Sequence, residues 1–365
     1  MSDSSFVISD DDFLEENSGN EAGSASGELF EHYHFIVDKG AKATRIDKYL
    51  VNCMADVSRN RIQAAAEAGS ILVNDIPVKS NYKVKPLDEI SIRLSYPPNH
   101  YEIVPQDIPL KIVYEDEQLL VVNKQPGLVV HPGFGNFEGT LLNAIAYHLK
   151  DNVDFDINDP NLGLVHRIDK DTSGLLLIAK TAEAKSKLAK QFYEKTTHRR
   201  YQTLLWGNFQ ENEGTVIGNI ARDMRDRLRM AVYPPEGEIG KTAVTHYRVL
   251  ERFGYVTLVE CQLETGRTHQ IRAHMAHIGH PVFSDERYGG HEILWGERTS
   301  NYKAFIHNCF SLCPRQALHA KELGFTHPTT GEFLKFDSNL PEDIQAIIEK
   351  WRVYSNSRLA GRNNQ

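Results

Sequence analysis

A chain of 365 residues with 41% hydrophobic residues can bury a substantial core and has room for two or three domains. No uninterrupted apolar run reaches the roughly 18 residues a membrane span requires, and the N-terminus lacks the basic-then-apolar pattern of an export signal, so the expectation is a soluble, cytoplasmic protein. The net charge of −8 argues against a uniformly basic nucleic-acid binder, but nine acids and no Lys or Arg fall in residues 1–31, and the rest of the chain is near neutral and able to carry local basic patches.

In chain order, residues 1–30 mix acids with Ser, Gly and Asn and hold too few apolar residues to offset ordering entropy, so they read as an acidic disordered tail. From Ala43 to Leu94 two short helices, around Arg45-Ile46-Asp47-Lys48-Tyr49-Leu50 and Ser58-Arg59-Asn60-Arg61-Ile62, precede strands. Ser58 is a candidate N-cap, Gly69 a candidate helix stop, and Asn74-Asp75 a hairpin turn between Ile71-Leu72-Val73 and Ile76-Pro77-Val78. Ile90, Ile92 and Leu94 alternate as a closing strand. This pattern resembles the S4-type RNA-binding domain, which implies a small α+β module over residues 31–95 with Arg45, Lys48, Arg59 and Arg61 on a basic RNA-facing surface. Asp75 stands where that family commonly has Gly, which leaves the turn type open.

Residues 96–106, with Tyr96-Pro97-Pro98-Asn99-His100, read as a linker. A larger domain follows over 107–350, opening with Lys111-Ile112-Val113-Tyr114 and Leu119-Leu120-Val121-Val122-Asn123-Lys124 as a hairpin, and residues 351–365 are expected to be a C-terminal tail. Cys53, Cys261, Cys309 and Cys313 are too few and too unevenly spaced for a disulfide framework and read as thiols.

Within the larger domain, Leu162-Gly163-Leu164-Val165 and Leu175-Leu176-Leu177-Ile178-Ala179 flank the polar string His166-Arg167-Ile168-Asp169-Lys170-Asp171-Thr172-Ser173-Gly174. A carboxylate among cations on a rigid support suits an ionised nucleophile facing an anionic substrate, although the pattern alone fits a charged turn equally well. The string resembles the signature loop of RluA/RluD-type RNA pseudouridine synthases. Further matches follow in order: Lys124-Gln125-Pro126-Gly127-Leu128-Val129-Val130-His131-Pro132, Arg200-Tyr201-Gln202-Thr203-Leu204-Leu205-Trp206-Gly207, Glu264-Thr265-Gly266-Arg267-Thr268-His269-Gln270-Ile271-Arg272 and Arg315-Gln316-Ala317-Leu318-His319-Ala320. The resemblance covers about residues 43–336.

It implies an α+β catalytic fold with a mixed, mainly antiparallel sheet, and isomerisation of uridine to pseudouridine in RNA without a cofactor. Large-subunit (23S) ribosomal RNA is the expected substrate; transfer RNA, dual specificity and a catalytically inactive RNA-binding assembly factor are the alternatives. By the resemblance Asp169 is the essential carboxylate, Arg267 its basic partner and Tyr201 the ring that stacks on uracil. Leu318 is the apolar floor and Arg167 fills the stack left by an extruded nucleotide. Lys170, Arg199, Arg200 and Arg272 are candidate phosphate contacts, and the protein is expected to act as a monomer.

Two other chemistries fit parts of the sequence. His269, His274, His277 and His280 suggest a metal site, but no His-Glu-x-x-His or Cys-x-x-Cys string supports one, so no metal is expected. Asp169 and Asp171 could form a glycosidase pair, but the surrounding cations favour an anionic substrate. His291 to Tyr302 reads as an insertion, and Phe283-Ser284 stands where the family has Gly before Asp285.

Overall fold

In the computed structural model, which describes residues 30–41, 43–54, 59–94, 103–132, 136, 138–152, 155, 163–226 and 228–363, the chain divides into two units at Tyr101 and Glu102. Residues 1–29 of the acidic tail, Ser58 and residues 96–102 of the expected linker lie outside the described residues, as does the side chain of Arg61.

The N-terminal unit contains β1 (Phe30–Ile36), α1 (Ile46–Cys53), α2 (Arg59–Glu67), β2 (Ile71–Val73), β3 (Ile76–Pro77) and β4 (Glu89–Leu94). Its sheet is antiparallel in the order β1-β4-β2-β3, with Val37, Ile46, Leu50, Ile62, Ile71 and Ile90 buried against the helices. Gly69 ends α2, and Asn74 and Asp75 form the turn between β2 and β3. Both adopt φ near +50 to +60°, the two left-handed positions of a type I′ turn, so Asp75 fills the place of the family's Gly without changing the turn. Asn74 Nδ2 donates to Asp88 Oδ1 at 3.2 Å, and Asp75 pairs with Arg93 across the sheet.

Arg45 and Arg59 do not simply project to solvent. Both donate at 2.9 Å to Asp47 Oδ2, as does Gln63, and Asp47 is fully buried. Burial opposes ionisation of Asp47, but these donors outweigh it and hold the carboxyl well below its usual range. The two guanidiniums, from the start of α1 and the start of α2, are thus fixed at the surface, 41% and 45% exposed, while Lys48 is exposed on α1.

The described part of the C-terminal unit begins at Ile103, within the stretch expected to be linker. Ile103 is buried among Leu120, Leu142 and Ile145, and Asn143 Nδ2 donates to the Val104 carbonyl. Along the chain come β5 (Ile112–Glu115), β6 (Leu119–Lys124), α3 (Leu141–His148), β7 (Ser173–Ala179), α4 (Ala182–Tyr193), β8 (His198–Trp206), β9 (Glu213–Arg222) and β10 (Met230–Tyr233). They are followed by β11 (Lys241–Arg252), β12 (Val256–Leu263), α5 (Gln270–His277), α6 (Ser300–Leu312), β13 (Leu318–Thr326), β14 (Phe333–Asp337) and α7 (Glu342–Asn363). One ten-stranded sheet runs β10-β9-β11-β12-β8-β13-β7-β6-β5, with β14 attached to β13. Among the described residues β13 and β7 pair in parallel and the other neighbours run antiparallel, the mixed, mainly antiparallel α+β arrangement expected.

Strands β6 and β7 read as unbroken apolar runs because both faces of the sheet are covered. Leu120, Val122, Leu176 and Ile178 enter one core cluster, while Leu119, Val121, Leu175 and Leu177 enter another. The parallel contact brings β7 and β13 so close that a Cβ at Gly174 (φ +117°) would lie 2.2 Å from the Ala320 carbonyl oxygen. Ser284, where the family has Gly, takes a left-handed backbone of φ +62°, which accounts for that preference.

Residues 351–363, expected to begin a C-terminal tail, are helical: α7 runs through Asn363. Ile344, Ile347, Ile348 and Trp351 follow a helical apolar spacing, and Trp351 is fully buried with its ring 5.0 Å from that of Phe305 and 6.3 Å from that of Trp206. Arg352 secures the next turn by donating to both carboxylate oxygens of Glu251. Replacing Trp351 by Ala should cost about 3–5 kcal/mol of unfolding free energy. Urea denaturation measures this, and a loss below about 1 kcal/mol would show that the helix end contributes no core packing.

Candidate active site

The string from His166 to Gly174 enters from Leu164, which bridges to Ile178, and feeds directly into β7. Two buried cations hold its backbone. Lys124, at the end of β6, donates from Nζ to the carbonyls of Lys170 (2.7 Å), Leu128 (2.9 Å) and Gln125 (3.0 Å). Arg315 donates from Nη1 to the Asp171 carbonyl at 2.8 Å, while its Nε and Nη2 grip Asp343 of α7. The backbone N–H of Thr172 closes the turn onto the Asp169 carbonyl at 3.1 Å. These contacts support the loop from both sides and direct the Asp169 side chain into a cavity of about 450 Å³.

That cavity brings together Asp169, Tyr201, Leu318, Arg167, Arg199, Arg267 and Arg272, residues drawn from four separate stretches of sequence. Among the described residues Asp169 is the sole carboxylate in its lining. Asp171 is absent from the wall, so the geometry does not assemble a pair of carboxylates across the cavity. Tyr201 and Arg199 reach it from alternate positions of β8.

The counter-charge of Asp169 is Arg272 and not Arg267. Arg272 Nη1 donates to Asp169 Oδ2 at 2.9 Å, while its Nε and Nη2 donate to Asp285 at 2.7 and 3.0 Å. Asp285 is wholly buried and also accepts from the Tyr288 backbone N–H. Arg267 precedes α5 and turns toward β11, where its Nε donates to the Thr242 carbonyl at 3.2 Å. The expected places of these two arginines are therefore exchanged: Arg272, enclosed between two carboxylates that take three of its N–H donors, is the ion-pair partner of Asp169, and Arg267 stays on the cavity wall.

Burial opposes ionisation of Asp169, yet the cationic surroundings win and its carboxyl is held below its ordinary value. Of the groups that act in that direction His269 is the largest, followed by Arg272 and Arg167. Burial, however, lowers the His269 pKa to about 4, so its ring carries no charge at neutral pH and Arg272 supplies the positive charge there. Burial, reinforced by Asp169, raises the Tyr201 phenol against an opposing effect of Arg199, and the group stays protonated.

Arg167 reaches Thr268 Oγ1 at 3.5 Å on the cavity wall. Arg200 does not face the cavity: strand alternation turns it to the other side of β8, 3.4 Å from Glu260 and 3.8 Å from Glu322. Lys170 is exposed and lies outside the cavity lining. The positions whose roles sequence reasoning left unassigned are Lys124, Arg315, Asp285 and His269. The first two stand inside matched strings, but a lysine ending an apolar strand gives no sign that it caps distant carbonyls.

Among the described residues no three His, Cys, Asp or Glu side chains come together to hold a metal ion. His274 is bonded to Thr245, His269 to Tyr288 and His280 to the Trp206 carbonyl.

Residues 118–277 match the family model described as RNA pseudouridylate synthase, and residues 44–90 match the S4 domain. An uncharacterized RNA pseudouridine synthase of Chlorobaculum parvum is 47% identical over 87% of this chain and 97% of its own length. A ribosomal large subunit pseudouridine synthase D of Zymomonas mobilis is 41% identical over 84% of this chain and 93% of its own. The solved structure of human RNA pseudouridylate synthase domain containing 4 shares the fold at 21% identity, with a TM-score of 0.52 over 66% of this chain and 92% of that one.

Removing the Arg272 charge should strand the buried Asp285 and the part-buried Asp169. Arg272→Gln is expected to lose about 3–5 kcal/mol of stability, and Arg267→Gln less than about 1 kcal/mol, by urea denaturation at pH 7. Equal losses would contradict the exchange of roles. Because the folded pKa of Asp169 is depressed, its stabilising contribution is fully present above its unfolded pKa of about 3.9 and disappears as pH falls through the lower folded value.

Proposed function

Because this chain belongs to the RNA pseudouridylate synthase family, we propose that it converts uridine to pseudouridine in RNA of the large ribosomal subunit, with Asp169 as the carboxylate that acts on the target nucleoside. The observation that carries the reading is an ionised carboxylate, paired with a buried arginine, in a cavity lined by Tyr201, Leu318 and further arginines. The substrate is supported by relatives named for the large subunit and by the S4 domain match.

The reaction breaks the bond from ribose C1′ to uracil N1 and makes one from C1′ to uracil C5. N1 gains a proton and C5 loses one, so the atoms balance and no oxidant or reductant is needed. Asp169 serves this exchange only as an anion, the state that Arg272 maintains. Tyr201, protonated at neutral pH, offers its ring as a wall for the base, and Leu318 forms the apolar surface beneath. A base inside folded RNA must leave its stack to enter, at a cost of about a few kcal/mol. The planar guanidinium of Arg167 suits the vacated place, and Arg199 and Arg267 suit the flanking phosphates.

In the N-terminal unit Lys48, Arg45 and Arg59 provide cations for RNA backbone contacts, which would raise local substrate concentration at the catalytic unit. The reading includes a monomeric, cytoplasmic enzyme.

Loss of the C5 proton gives a direct assay. Large-subunit RNA transcribed with uridine tritiated at C5 should release tritium to water with the wild type, and Asp169→Asn should reduce the rate by at least about a thousandfold. Equal release by both proteins would remove Asp169 from the chemistry. Release from transfer RNA but not from large-subunit RNA would replace the substrate.

A further inference from the structure

Target chemistry accounts for the part of the cavity around Asp169, Tyr201 and Leu318. The wall formed by the end of α4 has no part in that chemistry. Helix α4 buries Ala184 and Leu188 and packs Phe192 against the same core, an apolar stripe at four-residue spacing. Tyr193 follows the stripe by one position and so leaves the core: it is 71% exposed and lines the cavity. The helix stops there, with Lys195 in a left-handed turn at φ +59°.

Phe192, next to Tyr193 in the chain, belongs to a layered part of the same wall. His166 and Phe192 stack with ring centres 4.6 Å apart, and the guanidinium of Arg199 lies 5.5 Å from the Phe192 ring. Arg199 is 7% exposed, yet among the described residues it has no carboxylate partner; its Nη2 reaches the Glu264 carbonyl only at 3.4 Å and its buried Nε has no hydrogen-bond partner there. Gly266 leaves room for it, since a Cβ there would lie 2.7 Å from Nη1. A buried cation with donor capacity unused, on a cavity wall, is costly unless a ligand completes it.

We infer that Tyr193 and Arg199 form a second nucleotide subsite, in which the base next to the target uridine stacks on Tyr193 and an adjoining phosphate accepts from Arg199. The subsite rests on the proposed RNA substrate and deepens it. Base stacking on an exposed aromatic tolerates any base, whereas an arginine directed at a phosphate fixes the path of the strand. Together they would hold the strand beside the nucleotide that is turned toward Asp169. They would make the enzyme sensitive to an unstacked neighbour as well as to the target.

The test uses single-stranded uridine hexanucleotides carrying one 2-aminopurine, moved through the internal positions. Its fluorescence falls when it stacks, whether or not the enzyme turns over. Wild type and Tyr193→Phe should quench the probe at one internal position, and Tyr193→Ala should lose that quench and bind about five- to twenty-fold more weakly. Arg199→Gln should keep the quench and reduce the slope of log affinity against log salt by about 0.7, the value for one phosphate contact on a single strand. A probe that Tyr193→Ala quenches as fully as wild type does, or that wild type never quenches at saturation, would overturn the subsite. Tritium release from C5-labelled RNA, measured separately, distinguishes this from failure of the catalytic reading: active wild type with an unaffected Tyr193→Ala quench removes the subsite alone.

Discussion

The guanidinium of Arg272 lies between two carboxylates that differ in exposure and in task. Asp285, wholly buried, takes two of its donors and fixes its plane; Asp169, part-exposed at the cavity, takes a third. Each of these charges alone would be expensive to bury, and an ion pair repays desolvation only when its remaining donors and acceptors are satisfied. Here the second carboxylate supplies that satisfaction and leaves the trio with a net negative charge, which resides where the cavity opens. The Asp169 carboxylate is therefore held ionised as a consequence of how Arg272 is held.

Placing a charge is not enough unless the backbone beneath it is equally fixed. The Asp169 loop owes its rigidity to Lys124 and Arg315, which reach the Lys170 and Asp171 carbonyls from β6 and from the approach to β13. Arg315 also ties that approach to Asp343, so α7 participates in supporting the loop through one more ion pair. The N-terminal unit uses similar physics for another end: buried Asp47 anchors Arg45 and Arg59, and fixes cations at a surface.

How much of this was legible depended on the range of the interaction. The Asn74-Asp75 turn, the apolar strands and the Asp169 string are local patterns, and each lies where the sequence suggested. The pairing of Asp169 with Arg272 is separated by 103 residues, and two arginines five apart in one string compete for it. Only the turn into α5 decides between them, by aiming Arg267 at β11. Arg200 departs from its expected place for a simpler reason: adjacent residues on a strand face opposite ways, so Arg199 and Arg200 cannot both meet the cavity. The helix through Trp351 was present as apolar spacing from Ile344 onward, and was obscured by the polar residues that follow it. Lys124 could not have been found by pattern, because what it binds is backbone.

The central claim is that Asp169 is kept anionic by its buried partner, and its carboxyl can be titrated directly. Carbon-13 NMR on protein labelled at aspartate, with Asp169→Asn used to assign the resonance, should show the wild-type group titrating below the ordinary aspartate value of about 3.9. A midpoint at or above that value would contradict the account, since burial would then outweigh Arg272 and the carboxylate would not be held ready by the fold.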